Sequence, residues 1–417
     1  MNATLMKQTE KLGLNVNSDW AKLPLFDRSK FQRVRFGDVV ENVNETERDP
    51  AAAGIERFIA MEHLEPGSLH VSTWGNVADG TTFNRRCRPG QVLFGKRRAY
   101  QRKVAVAEFD AVVSGDIYLF SPKGGSLLPG LLPFICLSER FFQFAVETSA
   151  GSISPRTSWK QLARFEFYLP SLVQQESIIK IMTAVDTSAQ SYLKLRDDHR
   201  EHLSSLGQEM FSGGSNSSLP STWNFVSLRE FAVAKGIVNG PFGSDLLTSE
   251  LRPEGIPVIY VRDVKPRRYV RLSKACVSVE KAKELQFCDV MYGDVLVAKV
   301  GEPPCDAAPY FDAEQSIVTQ DVIRIRPKPD VDCRFISELL NSSFGRAAIK
   351  KITIGGGRMR VSLTEFKALL FPKPSMEEQK RLSAVLESGE QHQRSIESNL
   401  SQLKKLQDSL IEEFMAA

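Results

Sequence analysis

No stretch of the chain approaches the roughly 20 consecutive apolar residues that a membrane-spanning helix needs. The N-terminal MNATLMKQTEKLGLNVNSDW has no apolar core of the secretory kind. The six cysteines (Cys87, Cys136, Cys276, Cys288, Cys305 and Cys333) stand singly, with no CxxC and no histidine pairing, so metal-ligand spacing is absent. Reduced thiols in a soluble, cytoplasmic protein are the expectation. Catalytic signatures are missing as well. The GGG at 355–357 has neither the strand–GxGxxG–helix context of a dinucleotide site nor the Lys-Ser/Thr of a phosphate loop. EPPC (302–305) lacks the Asn or Asp and the aromatic residue that would frame the Pro-Pro of a DNA amino-methyltransferase. Asp330 is followed by no Glu-x-Lys at metal-nuclease spacing. His199, His202 and His392 have no Cys or carboxylate cluster beside them and read as polar seam or surface residues. The chain is expected to perform no chemistry itself.

What is present is ordinary globular composition over 417 residues, 42% hydrophobic and 25% charged, with room for two or three cores. The formal charge of +4 says little by itself, because the placement of charge matters more than its sum.

The informative feature is a repeat. WKQLARFEFYLPSLVQQESI (159–178) lies over LTEFKALLFPKPSMEEQKRL (363–382) at a shift of 204, bringing Pro170, Ser171 and Gln175 onto Pro374, Ser375 and Gln379. AVVSGDIYLFSPK (111–123) lies over SIVTQDVIRIRPK (316–328) at 205, and RPGQVLF (88–94) over MYGDVLV (291–297) at 203. The small drift is what loop insertions do to a true duplication. The period is too long for a solenoid.

Each half reads as a strand-rich globular stretch, a short helix, a glycine-containing loop, a strand ending in proline and a long helix. The fold class expected is α+β: two duplicated mixed domains separated by two long antiparallel coiled-coil helices in a pseudo-twofold arrangement. The segments are an N-terminal extension (1–24), a first domain (25–168), a spacer helix (169–212), a Gly/Ser connector (213–220), a second domain (221–372) and a second spacer helix (373–417). Ser171 with Gln174, and Ser375 with Glu378, have the spacing of a capping box. Heptad-like seams are expected through Ile178, Ile181, Val185, Ser188, Tyr192 and Leu195, continuing to Met210, and through Leu382, Val385, Gly389, His392 and Ile396, continuing to Phe414. About 38 residues at 1.5 Å each would span roughly 57 Å, a spacer between two heads.

Basic residues cluster. RRCRPGQVLFGKRRAYQRK (85–103) has eight Lys or Arg and no acid; YVRDVKPRRYVRLSK (260–274) has six with one Asp. GRAAIKKITIGGGRMR (345–360) is again free of acids. Duplicated cationic runs on a spacer point to phosphate and base recognition on a duplex. The candidate DNA contacts are Lys96, Arg97, Arg98, Arg102 and Lys103 in the first half. In the second they are Arg262, Lys265, Arg267, Arg268 and Lys299, with Arg156, Arg358 and Arg360 on the glycine loops.

With the duplicated L-P-x-L-x-x-Q/E-Q-like helix openings and NGPFGSDLLTSELRPEGIPVIYVRDVKP (239–266) in view, the chain resembles the specificity subunits of type I restriction–modification enzymes. The likeness runs from about residue 25 to the end. Gly240, Pro241, Phe242, Gly243 and Ser244 match the family's loop motif, which adds Gly243 and Ser244 to the candidate DNA contacts. Pro170, Gln175, Pro374 and Gln379 match its helix-opening motif, where subunits would dock. The first half lacks the GPFGS string, and Gln174 stands where Glu is usual. The resemblance implies a non-enzymatic reader of a split, asymmetric site on double-stranded DNA. Two methyltransferase subunits and motor-nuclease restriction subunits would assemble on it, with no membrane involved. S-adenosylmethionine, ATP and Mg would belong to those partners, and this chain would bind no cofactor. Service in another methyltransferase-based phage-defence system, or as a coiled-coil scaffold without affinity for DNA, are the alternatives.

Overall fold

Strand by strand, the two halves of the chain repeat one topology. The computed structural model describes residues 28–212, 223–355 and 358–416. The N-terminal extension, the connector 213–220, and Gly356 and Gly357 lie outside the described residues, as does the side chain of Ser244. Packing divides the chain into two units: residues 28–193 with 398–416, and residues 194–397. Each therefore contains one globular stretch and part of both long helices.

In the first unit, an antiparallel sheet runs in the order Val40–Asn42, Ile117–Pro122, Val92–Gly95, Val104–Val106. A second runs Gly75–Asn76, Arg57–Ile59, Ala111–Val113, Arg85–Cys87, with a parallel pair at its centre. The second unit has the same two sheets. One is Ala232–Asn239, Val322–Pro327, Val295–Ala298, Ala307–Pro309. The other is Cys276–Val277, Ile256–Ile259, Ser316–Val318, Asp289–Val290, again with a central parallel pair. Short apolar strands such as VLFG and VLVA are buried throughout, as strands covered on both faces must be. A two-stranded ribbon closes each domain before its long helix, Gln32–Arg35 with Glu166–Leu169 and Asn224–Ser227 with Leu370–Lys373.

The repeated Pro-x-x-x-x-Gln explains itself here. Gln175 and Gln379 are fully buried. Gln175 Oε1 accepts from the Leu128 N–H at 2.8 Å while its Nε2 donates to Ser126 O (2.8 Å) and Pro170 O (2.9 Å). Gln379 repeats the pattern with the Asp332 N–H (2.9 Å), Asp330 O (3.2 Å) and Pro374 O (2.9 Å). One buried amide thus ties each helix opening to the loop preceding a domain helix, because an amide satisfies donors and acceptors at once. The expected helix-opening role is visible, but neither glutamine is on a surface where a partner subunit would touch it. The caps form as well: the Ser171 N–H donates to Gln174 Oε1 at 3.2 Å, and the Glu378 N–H donates to Ser375 Oγ at 3.3 Å.

The long helices span Leu172–Ser212 and Met376–Met415. They pair antiparallel within each unit. In the first, Asp186 meets Gln407 and Tyr192 meets Asn399; in the second, His199 meets Gln393 at 3.1 Å and Leu203 packs on Gly389. The observed seam keeps the expected one at Ile178, Leu382, Ile396, Leu400, Gln407, Leu410 and Phe414 and corrects it at four positions. Ser188, Leu195, Val385 and His392 are exposed, while Met182, Ala189, Leu386 and Gln393 are buried. The turned-in positions alternate fours and threes, 382, 386, 389, 393, 396, 400 and onward, whereas the expected seam took Val385 and His392, each one residue too early. Ile178, Met182, Leu410, Ile411 and Phe414 join the core of the first unit; Phe211, Leu382 and Leu386 join that of the second.

Candidate nucleic-acid interface

A single turn recurs in both units and gathers several of the candidate cations. In the first, Lys96 follows the central strand Val92–Gly95. Its N–H donates to Asp116 O at 2.9 Å, and its carbonyl accepts from the Thr157 N–H at 3.0 Å. Strand end, the turn before the last strand, and the segment after the glycine loop are thereby stitched together. Lys299 does the same with Asp321 O (2.8 Å) and the Val361 N–H (3.4 Å). Arg156 and Arg360 stand one residue before Thr157 and Val361, in isolated bridges to Arg97 and Val300.

The surroundings of the two turns differ. Arg156 Nε donates to Asp116 Oδ1 at 2.9 Å; Arg97 donates to Ser154 Oγ at 2.6 Å and lies 3.5 Å from Asp116. Burial acts to raise the Asp116 pKa, but Arg156, Arg97 and Lys96 outweigh it and hold the carboxyl below its ordinary range. The Lys96 ammonium lies 5.0 Å over the Tyr118 ring, and burial, with Arg85 and Arg156 nearby, lowers its pKa. In the second unit Lys299, Arg358 and Arg360 have no ion pair among the described residues, and both arginines are exposed.

The acid-free run 85–103 is not a bare cationic surface once folded. Arg86 pairs with Asp110, Arg88 with Glu45 and Arg102 with Glu139. Arg85 is spent on the Ile117 and Val43 carbonyls, and Lys103 on Met61 O at 2.7 Å. Arg98 is half-buried at a φ of 54°, its Nε without a hydrogen-bond partner among the described residues. Acids distant in sequence supply these partners, so a local count could not anticipate them.

In the second unit Lys265 and Arg268 are exposed on the hairpin Val264–Lys265/Arg268–Tyr269, without ion pairs among the described residues. Arg262 is exposed, donates to Ser273 Oγ at 2.7 Å and lies 5.4 Å over Tyr260. Arg267 must be withdrawn as a DNA contact. Its side chain is 19% exposed and is held by Glu338 at 2.7 Å and Glu390 at 3.0 Å. A half-desolvated guanidinium between two carboxylates is a structural ion pair. The GPFGS segment is buried at Gly240 and Pro241 and exposed at Phe242 and Gly243, where a 3-10 turn begins. A Cβ on Gly240 would collide with the Val318 carbonyl, Gly243 has a φ of +43° with open space around it, and Phe242 is 57% exposed. Among the described residues no three His, Cys, Asp or Glu side chains are placed to hold a metal, and no helix is long and apolar enough to cross a membrane.

The acids of the turn were half visible in the sequence: Asp116 and Asp321 align in the repeat, and so do Lys96 and Lys299 once the 203 shift is extended. Nothing in the sequence marked His70, whose two ring nitrogens meet Glu108 and Asp186 at 2.6 and 2.7 Å.

Residues 220–405 match the family described as Type I restriction modification DNA specificity domain. That stretch, rather under half of the chain, is where the sequence is similar to the family whose motifs it resembles. The Type I restriction enzyme EcoDI specificity subunit of Escherichia coli is 23% identical over 170 residues, covering 39% of this chain and 37% of that protein. The match therefore spans well under half the length of that curated relative. Two solved structures share the fold across nearly the whole chain. One is a chain from a study of complex assembly and conformational transition of the type I R-M system, 17% identical, covering 93% of this chain and 98% of that one, TM-score 0.58. The other is the type I restriction–modification system S subunit from M. genitalium, 12% identical, covering 93% and 96%, TM-score 0.57.

Proposed function

We propose that this chain is the non-catalytic DNA-reading subunit of a type I restriction–modification complex. Each of its two domains reads one half of a split, asymmetric site in double-stranded DNA. The observation that carries the reading is the duplicated Lys–Asp–Arg turn: Lys96, Asp116 and Arg156 in one unit, Lys299, Asp321 and Arg360 in the other, on matching sheets. Cations on strand ends next to loops supply phosphate contacts that position a domain, and neighbouring side chains then reach base edges. Lys96, Arg97, Arg102, Arg156, Arg262, Lys265, Arg268, Lys299, Arg358 and Arg360 are the contacts proposed, with the loop around Gly243 and Ser244. Arg98 and Lys103, half-buried, act through the shape of the turn. The equivalent faces of a duplex recur about every 34 Å, so two heads on a spacer suit two half-sites on one molecule. Two methyltransferase subunits dock on the chain, restriction subunits join them, and S-adenosylmethionine, ATP and Mg belong to those partners. Such a complex works in the cytoplasm, where its DNA is.

The test is selection from random duplexes by the full chain with its methyltransferase partners. Two short conserved blocks separated by a gap of fixed length and free sequence are the expected result. One continuous block, or no enrichment, would refute it.

A further inference from the structure

Two ion pairs in this chain occupy equivalent places in the duplication, although their cations differ. In each domain a connection leaves the central strand of the parallel-paired sheet, makes a single 3-10 turn (Met61–His63 or Val261–Asp263), and returns as the neighbouring edge strand. The first runs from Arg57–Ile59 to Gly75–Asn76 and carries His70; the second runs from Ile256–Ile259 to Cys276–Val277 and carries Arg267. His70 Nε2 meets Asp186 at 2.7 Å, and Arg267 meets Glu390 at 3.0 Å. Asp186 and Glu390 sit on the first and second long helices at the repeat's own shift, 390 − 186 = 204.

Each cation also holds a second acid from its own domain, Glu108 for His70 at 2.6 Å and Glu338 for Arg267 at 2.7 Å. Backbone bonds anchor each connection to the sheet, Val106 N–H to Leu69 O at 2.8 Å and Arg267 N–H to Ala307 O at 2.7 Å. Asp186 additionally accepts from Gln407 Nε2 at 3.3 Å. In both units, therefore, a cation anchored in the domain grips a carboxylate on the rod. Hydrogen bonds between charged groups are short and directional, so such a link restricts rotation as well as separation.

We propose that these are two matching struts, His70–Asp186 and Arg267–Glu390, that set the orientation of each recognition domain on its long helix and thereby the gap at which the two half-sites are read. The residues are positioning residues and touch no DNA. The effect on the gap rests on the bipartite reading given above; the struts themselves do not.

The experiment uses the full chain carrying Asp186→Asn or Glu390→Gln. Both are isosteric, and the second leaves the Arg267–Glu338 pair intact. Hydrogen exchange on the free chain is read over residues 64–74 and 264–269. Faster exchange in the connection of the altered unit, with the other unchanged, is expected; no change in either overturns the struts whatever DNA does. Binding by the methyltransferase-loaded chain is then compared on the selected duplex and on duplexes one base pair longer and shorter in the gap. Each variant should reduce the preference for the native gap by on the order of tenfold, a ratio worth about 1.4 kcal/mol. Affinity reduced equally at all gaps, or a preference left unchanged, overturns the positioning role. If exchange responds but the unaltered chain has no gap preference, the bipartite reading fails while the struts stand.

Discussion

The two units share a topology but dispose of their positive charge in different ways. In the first, Arg86, Arg88, Arg102 and Arg156 each meet an acid: Asp110, Glu45, Glu139 and Asp116. In the second, Lys265, Arg268, Lys299, Arg358 and Arg360 meet none among the described residues. The longer and more basic run in the sequence has thus become the more compensated surface. Exposed ion pairs are worth little, about 0–1 kcal/mol, and phosphates can displace them, but each exchange returns an acid to water and weakens the net gain. If the chain reads DNA as proposed, the second unit would contribute most of the salt-dependent affinity. A second contrast concerns the struts. Arg267 is sunk between Glu338, only 6% exposed, and Glu390, whereas His70 and Glu108 are much more open to water.

The largest effect should come from Arg267→Ala. It strands Glu338, whose burial already pushes its carboxyl pKa up against the opposing pull of Arg267. Removing one partner of a buried pair costs about 3–5 kcal/mol, which urea unfolding of the second unit would register. His70→Ala in the first unit should cost much less, and equal losses would erase the contrast. Next comes Gly389→Val, which copies Val185, its counterpart in the first helix. Leu203 occupies the space a side chain would need there, so a loss of about 1–3 kcal/mol is expected in the same unfolding measurement. Third, Arg358→Ala with Arg360→Ala should reduce the slope of log affinity against log salt by about 0.9 for each phosphate no longer neutralised. Arg97→Ala with Arg98→Ala should reduce it by less, since Arg97 is held by Ser154 and Asp116 and Arg98 is half-buried. The reverse order would contradict the charge comparison.

The smallest effect is a pH dependence confined to the first unit. The hydrogen bond to Asp186, with Glu108 adding to it against the cost of burial, raises the His70 pKa from 6.5 to about 9. A folded-state pKa above the free value means that the stabilisation is complete below about pH 6.5 and is lost as pH rises through about 9. Thermal unfolding between those values should drift downward in the unaltered chain and flatten in His70→Gln.

Much of this architecture was legible because it was written twice. The shift of 204 located both helix openings, and Gln175 and Gln379 prove to be one buried clamp used in each unit. The caps at Ser171 and Ser375 followed from local spacing alone. The helical seam was legible only approximately. Val385 looked more apolar than its exposure warrants, and Gln393, polar in sequence, faces inward because His199 answers it across the seam. The cationic surface was the least legible part. Whether an arginine is free depends on acids such as Glu45, Glu139 or Glu390, which lie many residues away and which only the fold brings near. Arg267 illustrates this: its neighbours in sequence are cations, its neighbours in space carboxylates.

The most direct test of two domains each reading its own half-site is to repeat the duplex selection with the Arg358→Ala, Arg360→Ala chain. One of the two conserved blocks should lose its sequence information while the other and the gap remain as they were. Equal erosion of both blocks, or of neither, would contradict the assignment of one half-site to each unit.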